Sequence, residues 1–156
     1  MGVKSKVMIG TKPGDVQYNV TAKLGTAAKQ MVDADVGKAV KLVGAGRFGV
    51  VADGNELEGV IQSIENYTAE SYTVGTVRTG GYVEAILVGA ANIGDYVVCA
   101  AQAALGTKND AMGFPRPKVK ATADQAAATI SALKYKWRIV DGTTTDGSVV
   151  TLQRVN

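Results

Sequence analysis

From residue 36 to about residue 101 the chain alternates apolar and polar positions in short runs, the period-2 signature of half-buried β-strands. The runs are Lys38–Val43, Arg47–Ala52, Leu57–Ile64, Tyr72–Arg78, Tyr82–Val88 and Tyr96–Ala101. Gly44-Ala45-Gly46, Asp53-Gly54-Asn55, Thr79-Gly80-Gly81 and Ile93-Gly94-Asp95 punctuate them with turn chemistry. The segment Thr79-Gly80-Gly81 is expected to close a tight hairpin between its two flanking runs. Strands at this regular spacing predict a mainly β fold, a small Gly-rich barrel or sandwich.

The pattern changes on both sides of this block. Residues 1–35 scatter their apolar positions among Lys4, Lys6, Lys12, Lys23 and Lys29 and are broken at Pro13-Gly14-Asp15, so they are expected to form an extended N-terminal arm. Within it, Val16–Thr21 alternates and is able to pair as one strand. Residues 36–156 then form a single barrel-like domain with a Pro-containing connection at 107–121, where Phe114-Pro115-Arg116-Pro117 is held out of the α region. Thr122-Ala123-Asp124-Gln125 has the spacing of a capping box and predicts one short helix over about 123–133, with Ala123, Ala126, Ile130 and Leu133 on its apolar face. Tyr135–Val140 and Ser148–Val155 predict a closing hairpin.

Composition narrows the chemistry. The 156 residues are 46% hydrophobic and 20% charged, enough to build a core, and with only six Tyr, two Phe and one Trp that core rests on aliphatic side chains. There is no His, which removes the commonest general base and metal ligand. Cys99 is the only cysteine and lies in an apolar run, as a small buried hydrophobe would. No carboxylate pair has the spacing of an acid–base couple: Glu56 and Glu58 are expected to guard a strand edge, and Asp33 and Asp35 lack a third oxygen ligand at calcium-loop spacing. No enzyme, cofactor or metal is therefore expected.

Two motifs carry competing readings. Gly44-Ala45-Gly46-Arg47-Phe48-Gly49 matches a dinucleotide fingerprint, but that fingerprint needs a helix at its second glycine, and the β-branched continuation Val50-Val51 predicts a hairpin turn instead. Lys134-Tyr135-Lys136-Trp137-Arg138 interleaves bases with aromatics, a texture able to stack single-stranded nucleic acid. On a strand, though, Tyr135, Trp137 and Ile139 share one face and the three bases the other, so Trp137 is expected in the core with Lys136 as its exposed neighbour. Seventeen Lys and Arg against fourteen Asp and Glu, a net +3, are too mild to decide the matter.

The order Val36–Leu42, then Leu57-Glu58-Gly59-Val60-Ile61, then Gly94-Asp95-Tyr96-Val97, and finally Arg138–Gly142 with Gly147–Leu152 resembles that of small tailed-bacteriophage capsid decoration (cement) proteins. The resemblance covers about residues 36–155. It implies a structural virion protein made in the host cytoplasm, seated on the outer surface of the capsid and stabilising it by bridging major capsid subunits. The implied partners are the major capsid protein and further copies of the chain, a trimer before a dimer, with neither membrane nor nucleic acid. Composition places the candidate capsid or subunit contacts in the arm, at Lys4, Lys6, Lys12, Val16, Tyr18 and Val20, and in the basic stretch Arg116, Lys118 and Lys120, read as facing solvent or an interface. The alternative reading is a single-stranded nucleic-acid-binding barrel.

Overall fold

The structure, a computed structural model, describes residues 19–25, 30–67, 72–102 and 115–155. Its strands are β1 (Asn19–Leu24), β2 (Ala39–Gly44), β3 (Arg47–Val50), β4 (Gly59–Tyr67), β5 (Tyr72–Arg78), β6 (Tyr82–Leu87), β7 (Val97–Cys99), β8 (Lys118–Ala121), β9 (Lys136–Gly142) and β10 (Val149–Val155), with one α-helix, α1 (Ala127–Ala132), and a 3-10 turn at Asp33–Asp35. The fold is mainly β, as the alternation predicts. Strands β1-β3-β2-β4-β5 close into a barrel, and β7-β8-β6-β10-β9 form a second, five-stranded sheet.

Alternation decides which side chains point inward. On β9, Trp137 and Ile139 are fully buried between the half-buried Lys136, Arg138 and Val140. Lys136 is thus a partly covered neighbour of Trp137 rather than an exposed one. Across β10, Val150 and Leu152 face the same core. That core is shared by the two layers: Ala39, Val51, Leu57 and Val60 from the barrel's β2–β4 region pack with Val83, Leu87, Val119, Trp137 and Leu152 of the second sheet. A smaller cluster of Leu24, Met31, Val40, Phe48, Ile61 and Val77 fills the barrel itself.

Four expectations are corrected. Residues 19–24 are not arm but barrel: β1 pairs with β5 from Asn19↔Arg78 to Leu24↔Thr73, and Leu24 is fully buried. Its side chain fits because Gly75 has none, a Cβ there standing 2.6 Å from Leu24 Cδ1. Thr79-Gly80-Gly81 closes no hairpin, since β5 belongs to the barrel and β6 to the second sheet, where Tyr82 pairs with Gln153. The connection 107–121 ends in a strand, β8, parallel to β6 and antiparallel to β7. Finally, the helix is six residues long. The Gln125 side chain, expected to cap it, does bond Thr122 Oγ1, but it accepts from the Tyr96 N–H at 2.8 Å and donates to the Tyr96 carbonyl at 2.9 Å, while the Thr122 N–H goes to that same carbonyl rather than to Gln125. Of the expected apolar face only Ile130 is buried.

Candidate interaction surface

The β2–β3 hairpin turns through Ala45 (φ 49°) and Gly46 (φ 69°), both left-handed as a two-residue primed turn requires. The fingerprint glycines therefore shape a turn between two strands. The pairing register slips between Leu42 and Gly44, which leaves Val43 as the extra residue of a β-bulge. Val43 leans over Gly49, where a Cβ would lie 2.8 Å from Val43 Cγ1.

The consequence is exposed apolar surface. Leu42 and Val43 are each 48% exposed and Val50 40%, on a hairpin whose inward positions are packed. Val43, Gly49 and Val50 line a cleft of about 540 Å³ together with Gly25, Met31 and Ala101, a volume in the range of natural binding clefts. Its polar rim is already paired: Lys38 Nζ lies 2.6 Å from Asp35 Oδ1, and Lys120 Nζ 2.9 Å from Asp53 Oδ1. The wall is rigid. Gln102, buried beside Cys99, donates to the Ala100 and Lys118 carbonyls at 2.7 Å each and accepts from the Ala39 N–H at 3.2 Å, joining the barrel to the second sheet. Burial pushes the Cys99 thiol up to about 12, partly offset by the Gln102 hydrogen bond. It is a packed, un-ionised group rather than a nucleophile.

The two glutamates expected at a strand edge do distinct work. Glu58 Oε2 accepts from the Leu42 N–H at 3.0 Å, on the edge of β2. Glu56 Oε1 accepts from the Lys134 N–H at 2.6 Å and ties down the entry to β9.

The basic stretch is dispersed. Arg116 is buried and its Nε donates to Glu84 Oε2 on β6 at 2.8 Å, so it is an internal ion-pair member and not a surface contact. Lys118 is half-buried on β8, and Lys120 reaches the loop after β3. The structure brings no common basic face out of these three. Val20 is 40% exposed on β1, while Lys4, Lys6, Lys12, Val16 and Tyr18 lie outside the described residues. Trp137, the base-stacking platform of the nucleic-acid reading, is wholly buried. Leu42, Val43 and Val50 are not among the contact residues expected from the sequence. Their signal was the adjacent pairs Leu42-Val43 and Val50-Val51, which break the alternation beside the turn.

Among the described residues no group of three or more His, Cys, Asp or Glu is placed to hold a metal ion, and no helix is long and apolar enough to cross a membrane. Comparison of the chain with protein-family models, with curated proteins and with solved structures finds no match in any of the three.

Proposed function

We propose that the chain is a structural, non-enzymatic protein of a tailed-bacteriophage capsid, bound to the outside of the shell and bracing the joints between major capsid subunits. The observation that carries this reading is the β2–β3 hairpin. It carries three of the seven exposed large apolar side chains among the described residues, Leu42, Val43 and Val50, the last two lining a largely apolar cleft; the others, Val20, Val32, Val88 and Ile93, lie on separate segments. Exposed apolar side chains gathered on one hairpin suit a protein contact. The strand-and-turn resemblance across residues 36–155 supplies the identity of the partner. Attachment in many copies needs contact area and repetition rather than catalysis, and a self-associated unit, a trimer before a dimer, multiplies the contacts. Lys4, Lys6, Lys12, Val16, Tyr18 and Val20 are proposed as further contacts with neighbouring subunits.

The test is sedimentation of capsid shells mixed with the purified chain. Saturation at a fixed ratio to the major capsid protein, with a raised temperature of genome release, is the expected result. A chain that stays in the supernatant and leaves release unchanged overturns the reading.

A further inference from the structure

We propose that the edge of β2 at Leu42 is a strand-addition site for an extended protein segment carrying apolar side chains and a lysine or arginine, and that Glu58 holds this edge until such a segment arrives. β2 is six residues long, yet it pairs with β4 only at Ala39↔Val60 and Val40↔Gly59. Beyond those pairs the ladder is continued by one residue. The Glu58 N–H donates to the Val40 carbonyl at 2.9 Å, and the Glu58 carboxylate then accepts from the Leu42 N–H. A side chain thus stands where a neighbouring strand's carbonyl would be. The Leu42 N–H therefore faces this edge and is the group an added strand would take from Glu58. An open edge is a template for another chain, with main-chain bonds giving affinity and alternate side chains specificity. Leu42 and Val43, each about half exposed, are the apolar anchors.

Glu58 also sets the charge of the partner. A strand that takes the Leu42 N–H leaves the Glu58 carboxylate without that donor. Arg154, a cation whose field reaches Glu58, is committed elsewhere. Its guanidinium donates to the Glu58 and Thr79 carbonyls at 2.9 and 3.1 Å and lies over the Tyr135 and Trp137 rings. The displaced carboxylate is complemented by a cation on the incoming strand, and an acidic strand meets like charge. That the segment comes from the capsid subunit rests on the reading proposed above; the charge selection does not.

The test is an NMR titration of the full chain with two capped hexapeptides, Lys-Val-Thr-Val-Lys-Val and Glu-Val-Thr-Val-Glu-Val. The basic peptide is expected to shift the Leu42 and Val43 amides and to bind about tenfold more tightly than the acidic one. Glu58→Gln, which keeps an acceptor for the Leu42 N–H, is expected to erase the discrimination while the melting temperature holds. Equal binding of both peptides, shifts confined to other residues, or discrimination that survives Glu58→Gln overturns the proposal. In parallel, Leu42→Lys is expected to lower shell occupancy by about tenfold. If the peptides discriminate but the unaltered chain does not sediment with shells, the capsid reading fails and the edge site stands. If the unaltered chain and Leu42→Lys sediment alike, the edge is not the shell contact.

Discussion

Trp137 and Cys99 show what one position contributes. Trp137 is fully buried in the core shared by the barrel and the second sheet, with the Arg154 guanidinium 5.6 Å from its ring centre. Trp137→Ala is expected to cost roughly 3–5 kcal/mol in chemical denaturation, whereas Trp137→Phe, which also removes a buried Nε1–H that has no partner, is expected to cost less. Cys99 gives a pH signature. Burial raises its pKa from the ordinary 9.0 to about 12, so above pH 9 the unfolded chain loses a proton that the folded chain keeps. Its contribution is whole below that pH and is lost as pH rises toward 12, with a slope of up to about 1.4 kcal/mol per pH unit. Cys99→Ala is expected to flatten this part of the stability profile relative to the unaltered chain; parallel profiles would contradict it. Both burials were legible from alternation and from an apolar run. Arg116 was not, because the carboxylate that takes it inside, Glu84, lies 32 residues away in sequence.

Between residues and molecule lie the strands, and here turn chemistry decided what was legible. Ala45-Gly46 and the Asp141–Gly147 loop each join strands that pair with one another, β2 with β3 and β9 with β10, so local sequence named the partner. Gly80-Gly81 looks equally like a hairpin turn, yet the chain there passes between layers; which sheet receives β6 is set by β10, some 70 residues on. The same non-local pairing makes β8 a strand and β1 a barrel member. β1 meets β3 over only two residue pairs, Lys23↔Arg47 and Leu24↔Phe48, and is held chiefly by β5 and by Leu24 against Gly75. Gly75→Ala places a Cβ 2.1 Å from the Ser63 carbonyl oxygen and against Leu24; overpacking of this kind is expected to cost about 1–3 kcal/mol in thermal or denaturant unfolding. Truncation tests where the barrel begins. Removal of residues 2–16 is expected to leave a cooperative unfolding transition and to weaken shell attachment, while removal of residues 2–25 takes β1 away and is expected to lose the native transition altogether. A barrel that melts normally without β1 would contradict the topology.

At the scale of the whole molecule, the two layers act as one platform because core and polar links both cross between them. Trp137 and Leu152 pack with Val60 and Leu57, Arg154 ties β10 to the Glu58 carbonyl, and Gln102 ties the Ala39 N–H to the strand carrying Lys118. That platform holds the β2–β3 hairpin outward. The fold class was legible because alternation and glycine turns are local, whereas the candidate surface depends on which strand ends are left uncovered, a property of packing. The proposed seat of the β2–β3 hairpin on the shell is tested by an electron cryomicroscopy reconstruction of capsid shells saturated with the chain. The expected result is density for the chain on the outer surface, with Leu42, Val43 and Val50 turned toward the major capsid protein and covered by it. A bound chain whose β2–β3 hairpin faces solvent, or shells without density for the chain, would contradict it.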